Sequence, residues 1–308
     1  MKPVVAISIG DLNGVGAEIA LKSHETIKEF CRPLYFCNRL MLEQAAKLLG
    51  IRLPKDLEVE YVEGEFAITP GKISKKSAKL SFASFAKAVE MTANGITDAL
   101  VTLPINKEAW HKAGIHYSGH TDYLRKRFKK DAIMMLGCDK LFVALYTEHI
   151  PLKEVPKQIK RKKLARFLVD FCESTKPLLP VPVLGLNPHA GDGGVLGDEE
   201  EKIAAAIEKA NKKLGKDIFF GPVVPDIAFT PNFRKNVSHI VAMYHDQGLA
   251  PLKALYFDES INVSLNLPIL RTSVDHGTAY DIAYRGLAKN TSYINAVRYV
   301  AINIQLSK

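Results

Sequence analysis

Between positions 245 and 276 the chain carries seven residues able to do chemistry: His245, Asp246, Lys253, Asn262, Arg271, Asp275 and His276. An apolar, strand-like run, Ile240 to Tyr244, delivers the His-Asp pair into a Gly-containing turn. The other five follow on short alternating strands and loops. Taken singly, each reads as a solvated loop residue. Taken together, between runs as apolar as VSLNLPIL, they read as most of an active site, because α/β proteins place reactive groups at the ends of apolar strands.

Three histidines share one placement. His149, His189 and His245 each follow an apolar strand. Alone, each is a structural residue; converging at one sheet edge, three neutral imidazoles would bind a divalent ion and leave a coordination position open. Two further stretches point to anions. Gly10 to Gly16 is a Gly-rich turn between a strand and a helix, of the kind that offers backbone N–H groups to a phosphate. His120 and Thr121 open another helix, where Thr121 serves either as an N-cap or, with His120, as a phosphate contact.

The elements that must position these residues alternate. Strands are expected at Val4 to Ile9, Pro33 to Cys37, Leu57 to Val62, Asp98 to Thr102, Leu141 to Tyr146 and Pro182 to Leu186. Helices are expected from about Ala17 to Phe30, Arg39 to Leu49, Ser77 to Ala93, His120 to Phe128, Gln158 to Thr175, Asp198 to Leu214 and Thr291 to Leu306. The apolar stripe Leu80, Ala83, Phe85, Ala88, Val89 carries the third of these. Strand-helix alternation of this kind gives an α/β protein with a mostly parallel sheet.

Composition narrows the class. With 308 residues, 47% hydrophobic and 24% charged, the chain is an ordinary globular protein long enough for two lobes. The most apolar stretch, Ala132 to Tyr146, is broken by Asp139 and Lys140, so no membrane span is expected. The N-terminus runs from a short apolar segment into a Gly turn and reads as a first strand, not a signal peptide. Cys31, Cys37, Cys138 and Cys172 form no metal-finger spacing and are expected as free thiols in the cytoplasm. The net charge of +9 gathers in Arg125–Lys130 and Lys157–Arg166. Without interleaved aromatic or groove-reading residues these runs read as solvated helix faces, and an anionic small substrate is favoured over nucleic acid.

Five motifs carry a resemblance over nearly the whole chain. They are Gly10-Asp11-x-x-Gly14-Val15-Gly16-x-Glu18, Gly119-His120-Thr121-Asp122, Asn187-Pro188-His189-Ala190-Gly191, Tyr244-His245-Asp246-Gln247-Gly248, and Arg271 through Ala279 (RTSVDHGTA). In this order they resemble the 4-hydroxythreonine-4-phosphate dehydrogenase (PdxA) family of pyridoxal phosphate (vitamin B6) biosynthesis. His276 to Ala283 is also similar to the cofactor loop of the wider isocitrate and isopropylmalate dehydrogenase group. Leu12 and Ala17 depart from the pattern, standing where the family has prolines.

The resemblance implies two α/β lobes with the active site in the cleft between them. Residues 1–125 with 262–308 would form one lobe, and 126–261 the other. It implies His149, His189 and His245 as metal ligands, with His245 supplied by the other subunit of a homodimer that shares its active site. His120, Thr121, Lys253, Asn262 and Arg271 would bind substrate, and Asp226 and Asp246 would line the same site. NAD, with NADP as the alternative, would lie along Asp275, His276, Gly277, Thr278, Asp281 and Asn290. The reaction implied is metal-dependent oxidation of 4-phosphooxy-L-threonine, with Lys253 or Asp246 taking the alcohol proton, followed by decarboxylation to 3-amino-2-oxopropyl phosphate. The metal would be Zn²⁺, with Co²⁺ or Mg²⁺ also suited. Two other readings stand beside it: a dehydrogenase of an amine-free acid such as 4-phospho-threonate or 4-phospho-erythronate, and a non-catalytic phosphometabolite- or nucleic-acid-binding protein.

Overall fold

The structure is a computed structural model that describes residues 2–307. In chain order the first elements are β1 (Val4–Ser8), α1 (Gly16–Ile27), β2 (Arg32–Cys37), α2 (Arg39–Leu48), β3 (Glu58–Tyr61), α3 (Lys75–Ala93) and β4 (Ala99–Thr102). Then come α4 (Lys107–Lys112), α5 (His120–Phe128), β5 (Ile133–Cys138), β6 (Leu141–Leu145), α6 (Val155–Gln158), α7 (Arg161–Thr175), β7 (Val181–Leu184), α8 (Glu199–Leu214) and β8 (Phe219–Val223). Last are α9 (Pro231–Arg234), β9 (His239–Ala242), α10 (His245–Tyr256), β10 (Ile261–Leu265), β11 (Arg271–Val274) and α11 (Thr291–Ser307). The chain divides into two compact units, Met1–Lys130 with Ile261–Lys308, and Asp131–Ser260.

In the first unit the strand order is β3-β2-β1-β4-β11-β10. Every neighbouring pair is parallel except β10 with β11. β4 and β11 are buried at all four positions, as expected of central strands covered on both faces. Helix α3 packs on β1 and β2, while α11 packs on β11 and α1. The helices begin where short polar side chains cap them: Asn38 accepts from Leu40 N (2.9 Å), Ser74 from Ser77 N (3.3 Å) and Asn106 from Ala109 N (2.7 Å).

In the second unit the order is β5-β6-β9-β7-β8. β6, β9, β7 and β8 run parallel, so their C-terminal ends share one edge; β5 is antiparallel to β6. The apolar stretch read as one interrupted segment is this hairpin, turning at Asp139–Lys140 with Cys138 opposite Leu141. Helix α10 replaces the expected turn and loops after Tyr244. Its Gly248 and Pro251 look like breakers in sequence, but Leu249 and Leu252 are buried against the sheet and the packing decides. Gly248 is required there: a Cβ would stand 2.7 Å from Val143 Cγ1. Among the described residues no helix is long and apolar enough to cross a membrane, and the four cysteines are free and buried. Several cations of the two basic runs carry carboxylate partners, as in Arg127–Glu90 (2.7 Å), Lys126–Asp122 (3.1 Å) and Lys157–Glu154 (2.8 Å).

Candidate active site

The first unit holds a polar cluster on one face of its sheet. Antiparallel pairing sets Ser264 opposite Arg271 and Asn262 opposite Ser273, and parallel pairing sets Ser273 beside Thr102. Because side chains alternate along a strand, these five project from the same face. Arg271 is 2% exposed. Its Nη1 donates to Ser264 Oγ (2.9 Å), and its Nη2 to Thr102 Oγ1 (2.6 Å) and to His120 Nδ1 (3.1 Å). No carboxylate faces it among the described residues, and burial pushes the guanidinium down to about 9, leaving it charged at neutral pH.

His120 is the first residue of α5, held against the rings of Phe85 (4.5 Å) and Trp110 (5.7 Å). Burial, then the Arg271 and Lys107 charges, keep it well below the ordinary imidazole range. A neutral imidazole that accepts at Nδ1 carries its proton on Nε2, and that buried atom has no partner. Asn262 Oδ1 and Arg271 Nε are likewise buried and unpartnered. A dehydrated cation with two unpartnered donors, His120 Nε2 and Arg271 Nε, is a site built for an anion, since unpaired buried groups cost free energy until a ligand satisfies them, while Asn262 Oδ1 is an acceptor and would take a donor of the ligand. Thr121 is not the N-cap, a place taken by Gly119; it lies one residue inside the helix. Thr102 and Ser264 escaped the sequence reading, although the period-2 placement of Asn262 and Ser264 on one strand was a usable signal.

The second unit gathers the histidines. β6, β9 and β7 are adjacent and parallel, and His149, His245 and His189 follow their C-terminal ends in that order. Two side chains lace these exits together. Thr147 Oγ1 donates to Met243 O (2.7 Å), while Gln247 accepts from Met243 N (2.7 Å) and donates to Gly185 O (2.7 Å). The His149 and His245 rings lie 5.4 Å apart within one chain. His245 Nδ1 donates to Asp246 Oδ1 (2.7 Å). That carboxylate fixes the ring and leaves Nε2 for a metal, the usual arrangement behind a metal-bound imidazole. Paired imidazoles of this kind have the chemistry of a divalent-cation site, while the groups of three whose ligand atoms come within 4.8 Å of one another among the described residues, His24 with Glu25 and Asp56, and Cys138 with Asp139 and Glu259, lie elsewhere.

His189 stands in an unusual turn. His189, Ala190, Gly191, Asp192 and Gly193 all have left-handed dihedrals, with φ of 52°, 52°, 79°, 45° and 67°. For the three that are not glycine this costs about 1–2 kcal/mol each. Asp226 follows β8 from the same sheet edge, in an exposed turn. Lys253 is in the last turn of α10, half-buried, with its Nζ 5.8 Å from the Phe257 ring. It lies about 12 Å along the helix axis from His245, at 1.5 Å per residue.

The cofactor-loop candidates belong to the first unit, and the N-terminal Gly turn is their bed. Val15 N donates to Thr278 O (3.0 Å), Tyr280 OH to Asp11 Oδ2 (2.7 Å) and Tyr284 OH to Leu12 O (2.7 Å). Gly14 is glycine because a Cβ would meet Thr278 O at 2.7 Å. The N–H groups of Asp11, Asn13 and Gly14 are also taken, by Pro104 O, Asp11 Oδ1 and Asp11 O. Four of the turn's N–H groups are thus spent on the protein itself. Beyond it, Asp275 N donates to Ser292 Oγ (3.1 Å), and Asn290 Nδ2 donates to Ser23 Oγ (3.0 Å). Gly277 and Asp281 are exposed, with open space where a Gly277 Cβ would stand, and His276 Nε2 is buried and unpartnered. An anchored loop with an open glycine and an orphaned imidazole nitrogen fits a dinucleotide.

Comparison with known proteins agrees over the whole length. Residues 29–300 match the family model described as pyridoxal phosphate biosynthetic protein PdxA. The chain is 60% identical over 294 residues to 4-hydroxythreonine-4-phosphate dehydrogenase of Sulfurimonas denitrificans, covering 96% of this chain and 95% of that one. It is 58% identical over 298 residues to the protein of the same name from Campylobacter fetus, covering 96% and 97%. The crystal structure of a 4-hydroxythreonine-4-phosphate dehydrogenase from Burkholderia phymatum superposes with a TM-score of 0.82 at 32% identity, covering 98% of both chains.

Proposed function

The chain belongs to the pyridoxal phosphate biosynthetic protein PdxA family, and on that premise we propose that it oxidises 4-phosphooxy-L-threonine with NAD in vitamin B6 biosynthesis. Overall, the secondary alcohol becomes a ketone, with one hydride transferred to NAD and one proton released. The 2-amino-3-oxo-4-phosphooxybutanoate so formed breaks its bond to the carboxylate carbon, releasing CO₂, and takes up one proton at C2 to give 3-amino-2-oxopropyl phosphate. When bound, the nicotinamide takes the hydride and a divalent cation, Zn²⁺ in the first place with Co²⁺ or Mg²⁺ as substitutes, supplies Lewis acidity to the alcohol oxygen.

The chain's own residues do the rest. Arg271, with His120, Thr121 and Asn262, takes the phosphate, each charge-assisted bond contributing about 1.5–3 kcal/mol. His149, His189 and His245 hold the cation. Asp246 is already engaged by His245 Nδ1, so it is assigned to orient that ring, and Lys253 to accept the alcohol proton. Asp226 lines the same site. Asp275 to Thr278 and Asp281 hold the dinucleotide, with Asn290 anchoring the end of that loop on α1. The observation that carries this reading is the buried Arg271 guanidinium, uncompensated and ringed by unpartnered polar atoms.

We also propose a homodimer that shares its active site. The segments that carry His149 and His189 run on into exposed apolar side chains, Leu152 (66% exposed) and Val195 (80%), which a partner subunit would cover. Buried free thiols suit a reducing compartment, and the cytoplasm is the location assigned. The test is NAD reduction with 4-phosphooxy-L-threonine, with its unphosphorylated counterpart and with amine-free 4-phospho-threonate and 4-phospho-erythronate, repeated with NADP. Rapid NADH formation from the phosphorylated amino acid alone is expected. Faster turnover of an amine-free acid would move the assignment to that substrate class.

A further inference from the structure

Glu200, in the first turn of α8, is a buried acid of the second unit with no part in the proposed chemistry. Its partners are N–H groups that lead into the left-handed turn. Oε1 accepts from Leu186 N (2.9 Å) and Asn187 N (2.7 Å), and Oε2 accepts from Asn187 Nδ2 (2.9 Å). The carboxylate lies directly under the turn: a Cβ on Gly191 would stand 2.7 Å from Oε2, and one on Gly185 would stand 3.3 Å from Oε1. The turn closes on itself through Ala190 N to Asn187 O (3.1 Å) and Leu196 N to Gly191 O (3.0 Å). A strained backbone of this kind persists only where its surroundings over-determine it. Here the Glu200 carboxylate converges three donors from the two residues just before Pro188-His189, and Glu199 Oε2 shares only the last of them, Asn187 Nδ2 (2.8 Å).

We propose that Glu200 is the positioning residue for His189: acting through Leu186 N and both nitrogens of Asn187, it holds the left-handed turn from which that imidazole projects. The inference rests on the reading of His189 as a metal ligand. Glutamine at 200 keeps the shape but turns an NH₂ group toward at least one of three N–H donors, so the turn loses its template while the helix position keeps its packing. Groups that orient a metal ligand typically alter metal affinity 10- to 100-fold when removed.

The test is a double-mutant cycle read by Co²⁺ titration of the full-length, metal-stripped protein, followed by visible absorption and without substrate or NAD. Glu200→Gln is expected to weaken Co²⁺ binding roughly 10- to 100-fold in the otherwise native chain, and to have no further effect once His189→Ala is present. Asn187→Ala, which removes one donor and leaves the carboxylate, is expected to weaken Co²⁺ about 10-fold and serves if Glu200→Gln fails to fold. Unchanged affinity in Glu200→Gln or Asn187→Ala, or an equal loss with and without His189, would overturn the proposal. If His189→Ala itself leaves Co²⁺ affinity unchanged, it is the metal-ligand reading that fails, and the two failures are distinct.

Discussion

The anion cluster of the first unit and the histidine cluster of the second are built on opposite principles. Arg271, Thr102, Ser264 and Asn262 sit on strands of a sheet, and the guanidinium is stripped of water before any ligand arrives. His149 and His189 stand on exposed strand-exit loops, and the left-handed backbone around His189 carries strain. Rigid strands suit recognition of a fixed shape such as a phosphate, whereas in the proposed metal site the imidazoles would be fixed from behind, by Asp246 for His245 and by Glu200 for the His189 turn. The difference teaches that burial and hydrogen bonding mark the two kinds of site differently: orphaned polar atoms mark the first, and supported but exposed imidazoles mark the second.

That contrast breaks in definite places. The largest effect belongs to the exposed cluster: His189→Ala should lower kcat by roughly 10³-fold or more while the melting temperature stays near that of the parent, since the residue packs little. Activity near the parent level would remove His189 from the metal. In the buried cluster Arg271→Ala should act on KM for the phosphorylated substrate, raising it roughly 100-fold through loss of paired charge-assisted bonds. It should also lower stability, because Thr102 and Ser264 lose their donor. An unchanged KM would place the phosphate elsewhere.

Thr102→Val, which deletes only one acceptor of Arg271, should raise KM about 5- to 10-fold with kcat unchanged, measured by initial rates. Gly248→Ala separates packing from chemistry: the added Cβ meets Val143, so a loss of about 1–3 kcal/mol in unfolding free energy is expected by denaturant titration. A further effect is in pH. Burial holds His239 down to about 4, against 6.5 when unfolded. Between those values the unfolded chain takes up the proton and the folded one refuses it, so stability falls as pH drops from 6.5 toward 4. His239→Gln should flatten that slope in thermal melts across the same range.

Much of the frame is legible in the chain because apolar periodicity and capping agree with the packing, as at Asn38 and along the Leu80–Val89 stripe. The seven-residue cluster is visible for the same reason: polar groups interrupt apolar strands. What is hidden depends on contacts distant in sequence. Gly10 to Gly16 looks like a phosphate loop, and only the approach of Thr278, whose carbonyl takes Val15 N, and of the Tyr280 and Tyr284 hydroxyls, which donate to Asp11 and Leu12, shows it packed against the protein. Gly248 looks like a turn until Val143 is seen beneath it. Thr102 and Ser264 are ordinary strand residues until register sets them around Arg271.

The most direct test of the central claim is NADH formation from 4-phosphooxy-L-threonine before chelation, after chelation, and after a divalent cation is returned. The account predicts that turnover disappears on stripping and returns with Zn²⁺ or Co²⁺, while the stripped protein keeps its phosphate affinity because Arg271 and His120 belong to the other cluster. Turnover indifferent to the chelator, or no NADH formation with the metal demonstrably bound, would contradict it.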